Sequence, residues 1–274
     1  MTRIIRVFPV RTSYTPTDDL SYIGAPPLLL PTPSEDYEVH VSTTFTWNRA
    51  EAERLQGAWA AHYPIVRIGG PAYNSNGIFV PGRYIKQGVT FTSRGCNNRC
   101  AFCLVPEREG RLHEIDDFSP GYIIQDNNLL QCSRAHIERV LVMLQRQKRG
   151  AIFSGGLEAA LVTDWFADAL RGMRVHEVYL ACDTEGAIKS LRKAVEKLAF
   201  LGRQKLRCYV LIGRGTIETD TARLMAVWEA GCLPFAQTFQ PPTDKRIEYP
   251  PEWKRLQRTW SRPAATKALM GGTK

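Results

Sequence analysis

Three of the chain's seven cysteines fall within eight residues, at Cys96, Cys100 and Cys103, in the stretch SRGCNNRCAFCLVPEREG. Thiols gathered that densely act as disulfide halves or as ligands for a soft metal centre, and in a reducing compartment the second use prevails. The odd total of seven points the same way. Tetrahedral zinc asks for four protein ligands, usually as two C-x2-C-like pairs. Here the spacing is C-x3-C-x2-C, and the nearest later candidates, His113 and Cys132, form no matching pair. A cubane iron-sulfur cluster held by three thiolates leaves one iron open, and an open coordination position signals chemistry rather than architecture. A structural zinc site and a plain electron-transfer cluster remain the alternatives.

Such a loop needs a frame. From Gln87 onward the chain is regular, with strands expected to open near Val89, Tyr122, Ala151, Glu177, Leu206 and Leu233. Their starts lie 33, 29, 26, 29 and 27 residues apart, about one βα unit each. Helices are expected over 134–148, 163–170, 187–198 and 221–229, with Ser133 as an N-cap and Gly172 and Gly231 as stops. Six β/α units imply a parallel sheet curved into a partial (β/α)6 TIM-like barrel. In barrels of this kind chemistry sits where strands end and helices have yet to begin. Those positions read SRGCNNRC, DNNLLQC, SGGLEA, ACDTEG, IGRGTIE and QTFQPP, each polar, glycine-rich or both.

With its aromatic Phe102 before the third cysteine, SRGCNNRCAFC resembles the cysteine loop of the radical S-adenosylmethionine (SAM) superfamily. The resemblance implies a 4Fe-4S cluster on Cys96, Cys100 and Cys103, SAM bound at the open iron, and reductive cleavage to a 5′-deoxyadenosyl radical that takes hydrogen from a substrate. It also implies roles for other loops. Gly155 and Gly156 of SGGLEA would meet the SAM amino group, although Leu157 separates them from Glu158. Asp126, Asn127 and Asn128 would bind SAM or substrate, and Asp183 the ribose hydroxyls. Gly213, Gly215, Ile217 and Glu218 would lie near the adenine. Catalytic roles would fall to Asp126, Glu158 and Cys132, the last able to give a hydrogen to a substrate radical. Packing is the competing role for Cys132 and the favoured one for Cys182, Cys208 and Cys232.

Before this frame, residues 1–85 read as a small α/β domain: a strand over Thr2–Val10, a Pro-rich run GAPPLLLPTPSE, a strand over 37–46, a helix over 48–62 and a strand over 65–70. The stretch from Val39 to Tyr73 resembles the end of the cobalamin-binding-like domain that precedes the barrel in one radical SAM group. The motif D-x-H-x-x-G is absent, so the domain is expected to be degenerate and to bind no cobalamin. The barrel is expected over 86–243 and a basic segment over 244–274, where eight Lys or Arg face three acids. The pattern SRGCNNRCAFCLVPEREG, IIQDNNLL, FSGGLEA, RCYVLIG and WKRLQRTWSRPA resembles a group of radical SAM proteins of phages and prophages. That likeness implies modification or isomerisation of a nucleobase adduct in DNA. Trp253 and Trp260 among Lys254, Arg255, Arg258 and Arg262 would then stack on bases and contact phosphates. An amphipathic helix packing its tryptophans on the barrel is the competing reading.

Two other functions stay open: a radical SAM enzyme for a peptide or small metabolite, and a non-catalytic cluster or zinc module that binds nucleic acid. An electron donor such as flavodoxin or ferredoxin would be a partner. With no apolar run near the roughly 20 residues of a membrane span and no signal-peptide h-region, the expected location is the cytoplasm, that of the host if the chain is phage-encoded.

Overall fold

The computed structural model describes residues 3–30, 36–75, 79–241 and 243–271. Thr2 of the first expected strand, residues 31–35 of the Pro-rich run, Pro242 of the last loop and Lys274 lie outside them. The chain divides into two compact units, Met1–Val89 with Pro241–Ile247, and Thr90–Gln240 with Glu248–Lys274. The division falls four residues after the expected boundary at 85. The basic segment 244–274 is not a piece of its own, since its first four residues belong to the first unit and the rest to the second.

In the first unit, β1 (Arg3–Phe8), β2 (Ser21–Ile23), β3 (Tyr37–Ser42) and β4 (Val66–Gly69) form a parallel sheet in the order β2-β1-β3-β4. The alternating residues Ile5 and Val7 of β1 and Val39 and Val41 of β3 are buried. Helix α1 (Arg49–Ala60) buries Ala52, Leu55 and Trp59, spaced three and four apart so that they share one face, in the same core. Strand β2 was not expected. Its three half-buried residues at a sheet edge are too few to show a periodicity.

The second sheet has six strands in the order β12-β11-β10-β9-β8-β5: β5 (Val89–Thr90), β8 (Ile123–Ile124), β9 (Ala151–Leu157), β10 (Val175–Ala181), β11 (Leu206–Ile212) and β12 (Leu233–Thr238). Neighbours from β8 to β12 pair in parallel. The sheet is open, with β5 and β12 at its edges. Strand order equals chain order, so right-handed crossovers put every connecting helix on the same face. Those helices are α3 (Arg134–Gln145), α4 (Asp164–Arg171), α5 (Ala187–Lys197) and α6 (Ile217–Glu229). Their buried residues share one core with Val178, Leu180, Cys208, Val210 and Ile212 of the strands. On β11 the alternation is strict: Leu206, Cys208, Val210 and Ile212 face this core, while Arg207, Tyr209 and Leu211 are half-buried on the other side. There Arg207 pairs with Glu177 at 3.1 Å, and Tyr179 stacks on Tyr209 at 4.8 Å.

The first crossover differs from the rest. Between β5 and β8 the chain forms a two-stranded antiparallel ribbon, β6 (Ser93–Arg94) with β7 (His113–Glu114), and the one-turn helix α2 (Val105–Arg108). The cysteines lie between the strands of that ribbon. At the other end, α7 (Pro251–Ser261) and α8 (Pro263–Gly271) follow β12. Trp260 is 2 % exposed, and Trp253 packs beside Tyr249 against the same core. Trp260 is therefore not free to stack on bases, which corrects that part of the reading of the tail, while Trp253 is half-buried. Among the described residues no helix is long and apolar enough to cross a membrane.

Candidate functional site

The cysteine loop is held at its base by backbone and at its flanks by carboxylates. Gly95 has φ +77°, and a Cβ there would lie 2.2 Å from the carbonyl oxygen of Arg111, so only glycine fits. Cys96 N donates to Gly110 O at 3.2 Å, closing the loop. Glu109 then clamps it: its carboxylate accepts from Arg94 Nη2 at 2.6 Å, Gly95 N at 3.1 Å and Asn127 Nδ2 at 2.5 Å. One side chain thus ties both ends of the loop to the end of β8.

Glu158, just past β9, holds the middle of the loop. Its Oε2 accepts from Asn98 Nδ2 at 2.9 Å, Asn128 Nδ2 at 2.8 Å and Gln131 Nε2 at 3.1 Å. Gln131 in turn uses its carbonyl to accept from Asn97 N at 2.8 Å, and Cys96 Sγ lies 3.7 Å from the same oxygen. The sequence separating Glu158 from the glycines does not keep it from the loop. Its Oε1 takes no hydrogen bond among the described residues.

All three thiols are free; Cys96 is half-buried, while Cys100 and Cys103 are exposed. Partial desolvation by the surrounding protein pushes both the Cys100 and Cys103 thiols above the ordinary range; Cys103, Cys96 and Asp183 add to it at Cys100, and Cys96 and Asp183 add to it at Cys103, where the backbone of Val105 pulls the other way. Among the described residues no three His, Cys, Asp or Glu side chains gather closely enough to hold a single metal ion.

The other sequence-predicted residues divide between this cluster and its foundations. Asp126 is 1 % exposed and accepts from Thr92 N at 2.6 Å, Thr92 Oγ1 at 2.5 Å and Ser93 Oγ at 2.9 Å. Burial raises its carboxyl in spite of those bonds. It therefore buckles β8 to the start of the cysteine loop. Gly155 serves the same junction: a Cβ there would sit 1.8 Å from Asp126 O. Gly156, at φ +94°, lies over the Tyr209 ring. Asn127 and Asn128 donate to Glu109 and Glu158 as described, and Asn128 Oδ1 is buried without a hydrogen-bond partner among the described residues.

Asp183 Oδ1 accepts from Leu211 N at 2.8 Å, its other oxygen takes no hydrogen bond among the described residues, and burial raises its carboxyl. Gly213, at φ +89°, leaves no room for a Cβ against the Tyr249 ring, and its N donates to Asp220 Oδ2 at 2.7 Å. Ile217 and Glu218 begin α6, where the capping box of Thr216 and Thr219 fixes the helix start. An acid in that first turn suits the helix end, so Glu218 has a local role unconnected with the cysteines. Phe102 is half-buried beneath the guanidinium of Arg214, 5.2 Å from its ring centre.

Cys132 belongs to the core, with burial pushing its thiol to about 11. Cys182, Cys208 and Cys232 are buried too. Sequence reasoning did not single out Glu109, Asn98, Gln131 or Arg214. Glu109 stood inside the quoted loop, but nothing in its type or spacing marks a clamp; its partners Arg94 and Asn127 are 15 and 18 residues away.

Fold and site together define a parallel α/β protein with a clamped three-cysteine loop after the first strand of its larger sheet. No protein-family model matches the chain, and no curated protein matches it.

Proposed function

We propose that the chain is a radical SAM enzyme whose second unit is a partial (β/α)6 barrel. Cys96, Cys100 and Cys103 hold a 4Fe-4S cluster, and the substrate is a nucleobase adduct in nucleic acid. The observation that supports this most is the position of the thiols on a loop after the first strand of a sheet ordered as the chain is, with Glu158 from the third of its six strands bonded into that loop. Ligands appear at strand carboxyl ends in such sheets.

The thiols suit the cluster. The three cysteines of a cubane bind separate iron atoms, so they stand apart where a mononuclear zinc site would draw its ligands around one point. The absence of a single-ion cluster among the described residues is thus no obstacle to the first and no support for the second. When bound, the cluster supplies the electron that splits SAM into methionine and a 5′-deoxyadenosyl radical.

The chain's own residues orient and exclude. Glu109 keeps the loop ends together, and Glu158 fixes Asn98 and, through Gln131, the backbone at Asn97. The open Oε1 of Glu158 and the second carboxylate oxygen of Asp183 are acceptors for an ammonium group and for ribose hydroxyls. Asp126 and Gly155 set the spacing between β8 and β9 beneath them.

Anaerobic reconstitution with iron and sulfide tests the ligand set. The wild-type protein is expected to take up four irons per chain, a number set by the cluster type, with a reducible signal in electron paramagnetic resonance. Cys96→Ala, Cys100→Ala and Cys103→Ala each remove it. Full retention of the signal in all three variants would overturn the proposal.

A further inference from the structure

Arg99 and Arg111 line an open cleft of about 270 Å³ together with Cys96, Asn97, Pro106 and Gly110. A third guanidinium, that of Arg214, reaches the same loop from the end of β11 and lies over the rings of Phe102 and Phe239, 5.2 and 5.7 Å from their centres. All three arginines are exposed. None has a carboxylate at ion-pair distance among the described residues, whereas Arg94 at the start of the same loop is matched to Glu109 and Arg223 to Asp220.

Arg214 is also held in place. Gly213 N is fixed by Asp220, and Tyr249 Oη donates to Phe239 O at 2.8 Å and Gly213 O at 3.3 Å, joining the loops after β11 and β12. Ring faces support the flat of the guanidinium and leave its N–H edge for an oxyanion.

We infer that Arg99, Arg111 and Arg214 form a phosphate-binding rim around the cysteine loop, holding a single-stranded or extruded segment of nucleic acid at the site. The choice of ligand rests on the nucleobase reading above. Arg214 set over two half-buried rings, with the unpaired Arg99 and Arg111 on the cysteine loop, offers cations to the phosphates of a single strand. A base inside a duplex would have to leave the stack to reach this loop. The rim replaces Trp260 as a contact surface, because that side chain is buried in the core.

The test is fluorescence anisotropy with the reconstituted protein and an oligothymidylate of about ten nucleotides, within the site size of such surfaces, in phosphodiester and uncharged methylphosphonate forms. Salt is varied from about 50 to 200 mM. The phosphodiester is expected to bind more tightly. Each of Arg99→Gln, Arg111→Gln and Arg214→Gln should lower the slope of log affinity against log salt by about 0.7, the value for one phosphate contact on a single strand. Arg214→Lys should keep the slope, and Arg255→Gln with Arg258→Gln on α7 should leave it unchanged.

Wild-type slopes in all three Gln variants would overturn the rim. So would loss of slope only in the α7 variants, or loss of reduction by an acidic electron carrier with oligonucleotide binding intact. Cleavage of SAM alone is read separately: its absence beside a normal rim would sink the radical chemistry and leave the rim standing.

Discussion

Glu158 takes three donors on one oxygen and presents the other, and two of its donors lead back to the cysteine loop. In the proposed enzyme this carboxylate would act on the cluster through Asn98 and Gln131. Glu158→Ala is expected to leave iron uptake largely intact while slowing SAM cleavage about 10- to 100-fold, the usual effect of losing an outer partner at a metal site. Glu158→Gln, which keeps an acceptor oxygen, should retain more activity. Equal cleavage rates in all three proteins would remove Glu158 from the account. His136 makes a separate residue-scale prediction. It is 1 % exposed, with Nε2 3.2 Å from Thr92 Oγ1 and Nδ1 3.8 Å from Glu114, without a hydrogen-bond partner among the described residues. Burial lowers its pKa below 6.5, outweighing the attraction of Glu114 and Asp126. Below pH 6.5 the unfolded chain therefore binds the proton before the folded one does, and stability falls on acidification, by at most about 1.4 kcal/mol per pH unit from this group. Denaturant titrations between pH 5 and pH 7, run beside His136→Gln, check this: the variant should show the shallower pH dependence.

At the scale of elements, two glycines predict opposite outcomes. A Cβ at Gly155 would collide with the carbonyl of Asp126 at 1.8 Å, whereas one at Gly57 in α1 meets nothing within 4 Å. Gly155→Ala should destabilise the second unit by about 3 kcal/mol or more, since backbone must move apart. Gly57→Ala should stabilise the first unit by about 0.5–1 kcal/mol through helix propensity. Urea unfolding of both variants distinguishes them. The long strands β9 to β12 and helices α3 to α6 were legible because apolar periodicity and the βα spacing agree along each. Ser133 could be read as a cap, and its side chain does accept from His136 N. Two-residue strands such as β6 and β7 carry no period, and α6 starts four residues before its expected beginning because the Thr216 capping box is formed by threonines alone. The cysteine loop was visible as spacing, but its carboxylate clamps were not. Glu158 and Asn98 lie 60 residues apart in the chain and meet only through the strand order.

For the whole molecule, the order β12-β11-β10-β9-β8-β5 is the organising fact. It sends the helices to one face and leaves the loops after the strands at the carboxyl ends of those strands. The C-terminal helices complete that core through Trp260, so Trp260→Ala is expected to cost about 3–5 kcal/mol, measured by urea unfolding of the full chain. A much smaller loss would mean that α7 is only loosely attached. The proposed chemistry is tested most directly by incubating the reconstituted, dithionite-reduced protein with SAM and measuring 5′-deoxyadenosine by chromatography, with the Cys100→Ala variant alongside. The account predicts 5′-deoxyadenosine from the wild-type chain and none above background from the variant. A reduced, iron-loaded wild-type protein that forms no 5′-deoxyadenosine would contradict it.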